Sequence, residues 1–287
     1  MALSAVCFSV MAALVKAAAA RIPNQEIVAL RSFAALISVA GLIWWRGGPL
    51  RINRPGLLLI RAVLGYTALS CWFLAIGRLT LSDAVMIQYT SPVFVAIFAP
   101  LALREPSRPR DRIALAVALA GVVLVVRPGL GIDPAGAMLG LAGAICSAAA
   151  YLLVRWLRRH ERPLVIMLAF PAFATVVSAI VAAPSWVWPE GAEWLPLIGI
   201  CALTIVGQLG LTFGLIWERA GPATVATYLA VVVSIPLSIF FFDEWPDTLM
   251  LAGGALVIGS VASLAVTRER PIPPPEGAGG SQIAGRG

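Results

Sequence analysis

Residues 83–103, DAVMIQYTSPVFVAIFAPLAL, and residues 222–242, PATVATYLAVVVSIPLSIFFF, contain one charged residue between them, Asp83 at the very start. Each is long enough to cross a hydrocarbon core as a helix, which takes about 20 apolar residues. Each also holds a tyrosine and a proline: Tyr89 with Pro92, and Tyr228 with Pro236. The two stretches lie in register at a shift of 139 residues, and the same shift lays residues 5–105 over 144–244 without a gap. Ala5, Cys7, Leu14, Val15 and Lys16 then fall on Ala144, Cys146, Leu153, Val154 and Arg155. Further along, Ala84, Tyr89 and Glu105 fall on Ala223, Tyr228 and Glu244, and after a shorter link Leu119-Ala120-Gly121 meets Leu251-Ala252-Gly253.

Composition agrees with this reading along the whole chain. Of the 287 residues, 60% are hydrophobic and 12% are charged, where a soluble domain carries about 25% charged residues. Mean hydropathy is +0.92. Ten apolar stretches follow one another: 2–20, 26–45, 57–77, 83–103, 112–126, 135–156, 163–183, 194–217, 222–242 and 247–266. The expected fold is therefore an all-α polytopic membrane protein of ten transmembrane helices. The first stretch reads as a span rather than a cleaved leader, because it lacks a basic start and aligns with the internal sixth.

The net charge of +7 marks one side of a membrane, not a nucleic-acid surface. With both termini on the cytoplasmic side, fifteen arginines fall inside, among them Arg46, Arg51, Arg54, Arg104, Arg108 and Arg155 to Arg162. Arg21, Arg78 and Arg127 fall outside, which is the bias of an inner-membrane, multi-pass protein. Five spans per repeat is an odd number, so the second copy enters the bilayer from the opposite side. Link charges reverse accordingly: residues 46–55 are basic, whereas their counterpart carries Glu190 and Glu193, and 104–112 is arginine-rich where Asp243, Glu244 and Asp247 stand opposite. The expected organisation is two inverted five-helix repeats, 1–133 and 134–267, with a disordered cytoplasmic tail at 268–287 rich in Pro and Gly.

A family resemblance rests on Ala75-Ile76, Ser82-Asp83-Ala84, Pro92-Val93-Phe94, Leu103-Arg104-Glu105 and Gly121. Gly221-Pro222-Ala223, Tyr228, Pro236, Asp243-Glu244 and Gly253-Gly254 echo them in the second half. The pattern resembles the EamA family of the drug/metabolite transporter superfamily over nearly the whole chain. The resemblance implies a ten-helix carrier of small metabolites, with amino acids, nucleotide-type metabolites and vitamins among the family's cargo. It also implies a central cavity formed mainly by spans 1, 3, 4, 6, 8 and 9. One departure is that Pro92 meets Val231, and the second-half proline comes five residues later at Pro236.

Polar groups in spans are costly and face the bundle or a wet cavity. Gln88 and Tyr89 precede Pro92, which cannot donate to the carbonyl of Gln88, and Pro236 likewise frees that of Val232, so both prolines are expected helix bends. Gln208 shares a face with Thr204 and Thr212. Tyr66, Trp72, Tyr151 and Tyr228 complete the expected substrate-binding set. The other tryptophans, from Trp44 to Trp245, fall at span ends, where an aromatic belt explains them. Glu105 and Glu244 occupy matched span ends and read as a gate or as helix-end charges.

Neither a catalytic motif nor a metal-ligand cluster is present, so an enzyme, a catalytic residue and a cofactor are not expected, and His160 stands alone. Cys7, Cys71, Cys146 and Cys201 lie in spans and read as packing residues rather than disulfides. The expectation is alternating-access export or exchange of amino acids, whose zwitterions suit a weakly charged pocket. Without a mid-span acid, facilitated diffusion or exchange is expected over proton coupling. An uptake carrier for a nucleotide-type metabolite or vitamin, a multidrug exporter, and an intramembrane enzyme or scaffold stand as alternatives. Expected partners are a small-molecule substrate and the lipid bilayer, with no nucleic acid; a homo-oligomer is left open. Truncation after Thr267 is expected to leave substrate flux in reconstituted vesicles unchanged at equal expression.

Overall fold

The computed structural model describes residues 2–46, 51–103, 109–127, 131–217 and 228–268. Those residues are helical apart from short connections, with no strand among them. In chain order the helices are α1 (Ala2–Ala18), α2 (Asn24–Arg46), α3 (Pro55–Ile76), α4 (Leu81–Gln88), α5 (Ser91–Leu103) and α6 (Pro109–Val126). They continue with α7 (Pro134–Leu157), α8 (Pro163–Ala182), α9 (Trp194–Trp217), α10 (Leu229–Phe242) and α11 (Thr248–Arg268). Among the described residues, six segments are long and apolar enough to cross a membrane, and Ala2–Ala18, Arg112–Val126, Leu229–Phe242 and Thr248–Leu264 are shorter apolar helices. Hydrocarbon offers no partner to backbone N–H and C=O groups, and helices satisfy both within one segment.

Local chemistry sets the ends. Proline opens α3, α7 and α8, where its missing N–H and fixed φ cost nothing. Asp133 caps α7 by accepting from the N–H of Ala135 and Gly136, and Thr80 caps α4 by accepting from that of Asp83. At the far end of α10, Asp243 turns left-handed at φ 52°, its N–H donating to the carbonyl of Ile239 and that of Glu244 to the carbonyl of Ser238, a conformation that Asp tolerates better than most residues.

The expected fourth span, 83–103, is two helices rather than one. Helix α4 stops at Gln88, and Tyr89 and Thr90 form a turn before α5 begins at Ser91. Pro92 supplies no N–H at the position that would continue the ladder. The Thr90 hydroxyl and N–H both donate to the carbonyl of Ile87, at 2.6 and 3.1 Å, which tightens the chain into the turn. By contrast α10 runs on through Pro236. Of the ninth expected span, residues 222–227 lie outside the described residues.

The helices pack in a regular set of pairs: α1 on α9, α3 on α7, α2 on α8, α4 on α10 and α6 on α11. Small residues permit the closest crossings. A Cβ built on Gly121 would lie 2.8 Å from the carbonyl oxygen of Gly253, and one on Gly253 would lie 2.6 Å from that of Gly121. Phe73, Met11, Ile27, Ile76, Leu81, Met86 and Ile87 are fully buried around α1, α3 and α4, while Trp44, Trp45, Trp188 and Trp245 are exposed at helix ends. All four cysteines are free.

Gly253→Ala is expected to lower stability by about 1–3 kcal/mol through backbone overpacking, read as a lower melting temperature in detergent. Gly259→Ala on the same helix, where nothing lies within 4 Å of the added carbon, is expected to melt no lower than the parent.

Candidate functional site

The turn that divides α4 from α5 presents Tyr89 inward, and the start of α10 presents Tyr228. Their ring centroids are 6.0 Å apart and tilted by 50°, so residues related by the 139-residue shift touch across the bundle. Tyr228 is buried and its hydroxyl has no partner. One residue before Tyr89, Gln88 Nε2 donates to Ser147 Oγ of α7 at 2.9 Å, while its buried Oε1 is unpartnered. Trp72 is buried against Phe73, and its Nε1 also lacks a partner. Unpaired buried polar atoms are costly, and three of them belong to expected site residues in this region.

Tyr151 identifies where the space lies. At about 100° per residue it shares the α7 face with buried Gly140, Ala144 and Ser147, away from the outward-facing Ile145. It is nonetheless 56% exposed, so it faces an opening within the bundle. Its hydroxyl lies within electrostatic reach of Arg31 on α2, of Arg61 on α3 and of Tyr89. Tyr66 is held differently, donating to Gln25 Oε1 at 3.0 Å with its ring edge-on to Phe173. Gln208 on α9 is half-buried and bonded; one turn earlier, Thr204 donates to Met11 Sδ of α1. The side chain of Thr212 and all of Glu105 lie outside the described residues. Two grooves, one beside Leu58 and Leu168 and one beside Val117 and Leu256, are mainly apolar and are lined by none of the expected site residues.

One end of the bundle is cross-linked by charge. Glu244 accepts from Lys16 Nζ of α1 at 2.5 Å, from the N–H of Leu81 that opens α4 at 2.9 Å, and from Ser238 Oγ at 3.1 Å. Lys16 also donates to the carbonyl of Leu79 and lies over the Phe242 ring. Arg127, at the end of α6, bridges Asp83 at 2.7 Å and Asp247 at 3.0 Å. Arg21 meets Glu190 and Glu193, and Arg78 meets Asp133; the Glu193 hydrogen bond holds the Arg21 guanidinium above its ordinary pKa. Glu26, fully buried near this end, accepts from the N–H of Val187. Span-end acids were expected from sequence; their burial was not, since local hydropathy does not show which loop folds over them.

The opposite end has a different fastening. Glu161 accepts from the N–H of Asn53 at 2.7 Å and from that of Arg54, and the Asn53 amide donates to the carbonyl of His160. One carboxylate thus caps α3 and ties together the links that precede α3 and α8. His160 stacks on Trp156 with centroids 4.2 Å apart. No cluster that could hold a metal occurs among the described residues.

Apolar helices, close small-residue crossings and a polar interior beneath one charged end define a polytopic helical membrane protein. The pattern of the EamA-like transporter family matches residues 1–127 and 134–266, and the chain belongs to that family. It is 33% identical over 270 residues to the pseudopaline exporter CntI of Pseudomonas aeruginosa (strain UCBPP-PA14), covering 93% of this chain and 94% of the relative. Solute carrier family 35 member G1 of Homo sapiens is 28% identical over 284 residues, covering 93% and 78%. A crystal structure with a TM-score of 0.63 covers 94% of this chain and 97% of its own at 22% identity, which bears on fold alone.

The two kinds of charge pair at the linked end differ in consequence. Arg127→Gln leaves Asp83, only 5% exposed, without its cation and is expected to destabilise by about 3–5 kcal/mol. Arg21→Gln removes an exposed pair and is expected to change stability by under about 1 kcal/mol. Melting curves of the two variants side by side check the contrast.

Proposed function

We propose that this chain is an inner-membrane transporter of small polar metabolites, amino acids first, exporting or exchanging them by alternating access between two inverted five-helix repeats. The observation that carries the reading is one contact built twice. Ser4 Oγ of α1 donates to the carbonyl of Gly207 on α9 at 2.7 Å, and a Cβ on Gly143 of α7 would lie 3.1 Å from the carbonyl of Ala68 on α3. The 139-residue shift carries Ser4 to Gly143 and Ala68 to Gly207. Helix pairing has the same property, since exchanging the two halves converts α1–α9 into α7–α3. The Gly121–Gly253 and Tyr89–Tyr228 contacts join residues matched between the halves, so both support a two-fold relation.

Such symmetry supplies a transport cycle when the halves trade conformations around a midplane site. The Glu244 end, which positive-inside counting puts outside, is fastened by ion pairs, while Tyr151 lies nearer the other end in open space. Both favour an arrangement closed outside and open within. The register also maps Lys16 and Glu244 onto Arg155 and Glu105, so a second pair of the same signs is available to close the inner end. In this reading Glu244 and Glu105 are gates, Tyr89, Tyr228, Gln88, Gln208, Trp72, Tyr66 and Tyr151 line the path, and the turn before Pro92 is the hinge. The named exporter among the relatives favours outward transport, and membership of a transporter family favours a carrier over an enzyme or scaffold.

Purified chain in vesicles tests this. Tyr89→Ala and Gln208→Ala are expected to lower amino-acid flux roughly tenfold, the effect of about 1.4 kcal/mol, with normal membrane insertion. Unchanged flux in both would move the path elsewhere. Facilitated diffusion or exchange is the proposed energetics, and accumulation against a gradient driven by pH alone would refute it.

A further inference from the structure

Two cations inside the bundle serve none of the contacts described above. Arg31 sits on α2 seven residues after Asn24, about 10 Å from that end at 1.5 Å per residue, and is 8% exposed. Arg61 sits on α3 six residues after Pro55, about 9 Å from the opposite end. Neither forms an ion pair or hydrogen bond among the described residues, and the sealed, unpartnered atoms are Nε of Arg31 with Nε and Nη1 of Arg61. Each lies over a ring instead: Phe73 at 5.7 Å for Arg31 and Phe170 at 5.0 Å for Arg61. An aromatic face replaces only part of the hydration a guanidinium gives up.

The repeated scaffold has no need of these charges. Under the 139-residue shift the counterpart of Arg31 is Phe170 and that of Arg61 is Ile200, so the same packing positions are filled by apolar side chains in the other half. Both guanidinia lie within electrostatic reach of the hydroxyl of Tyr151, the half-exposed side chain on the inward face of α7. They therefore approach Tyr151 from opposite ends of the bundle. Arg31 is buried and Arg61 half-buried; a cation held out of water without an anion is unfavourable, and a site that retains two is completed when an anion arrives.

We propose that Arg31 and Arg61 form an anion-recognising site around Tyr151, and that the cargo is a small organic anion, such as an acidic amino acid, rather than a net-neutral zwitterion. The assignment of cargo rests on the transport reading above; the binding site does not. A planar guanidinium takes a carboxylate or a phosphate oxyanion through the same forked donors. Tyr151 adds a hydroxyl donor beside them. Arg31 and Arg61 are binding residues, not gates, because they touch neither fastened end.

Thermal stabilisation of the full chain in detergent, measured with glutamate, succinate and glycerol phosphate against glutamine, reads the site directly. Expected is a larger shift with the anions than with glutamine, lost in Arg31→Gln and Arg61→Gln and partly kept in Arg31→Lys and Arg61→Lys. A carboxylate or a phosphate preference each supports the site and identifies its oxyanion. Without ligand, both glutamine variants are expected to melt no lower than the parent, because an unpaired charge held out of water has been removed. Equal shifts for glutamate and glutamine, an anion preference that survives both glutamine variants, or ligand-free variants much less stable than the parent would each overturn the proposal. Vesicle flux separates the two readings. Anion binding without any flux sinks transport and leaves the site; glutamine flux unaffected by both variants, with no anion preference in binding, leaves transport and sinks the site.

Discussion

A backbone amide or carbonyl in hydrocarbon has no water to turn to, and leaving it unpaired costs several kcal/mol. Every feature of this molecule is arranged around that constraint. It makes the described chain helical and confines the break between α4 and α5 to the interior, where Thr90 closes on Ile87 instead of lipid. The same rule explains why Pro236 is absorbed within α10 while Pro92 coincides with a turn. Ser91 and Pro92 open a new helix there, and the preceding Thr90 has a hydroxyl that closes on the carbonyl of Ile87 at the end of α4.

Within that frame, polar chemistry is segregated by depth. Among the described residues, ion pairs gather at one end, where carboxylates from α4 and the neighbouring links meet cations from α1 and the links. Glu244 alone ties α1, α4 and α10 together. Loosening it would free three helices at once, which gives a charge at a span end leverage over a path more than a turn away. In the proposed cycle this end opens as the opposite one closes. Deeper in the bundle the polar atoms are under-satisfied rather than paired: Gln88, Trp72, Tyr228, Arg31 and Arg61 all keep atoms without partners. Unpartnered atoms occur at the charged end as well, on Asp83, Arg127 and Glu26, but there each of the three side chains also has a partner.

Hydropathy and a constant register made much of the fold legible. The limits of most expected spans lie within three residues of the observed helices, because apolar length is a local property. Tyr89 and Tyr228 could be paired from the shift alone, and their rings meet. The division of residues 83–103 was only half legible: Pro92 signalled a disturbance, yet a freed carbonyl permits either a bend or a stop. Arg31 was visible as a cation far from any span end, but not as an unpaired one, since an arginine's partner is chosen across the bundle. Lys16 likewise read only as a span residue in register with Arg155, and its partner Glu244 emerged from the packing of α1.

The sequence by itself determined that the chain is helical and membrane-bound, and which residues of the two halves correspond, since these follow from apolar run length, loop charge and register. Tertiary structure decided which charges neutralise one another and which stay unmet. Coulomb partners are set by distances between segments more than a hundred residues apart, as between Lys16 and Glu244. It also decided that Tyr151, on an inward face, looks into open space. A vacancy between helices is a property of how they pack, and no single segment encodes it.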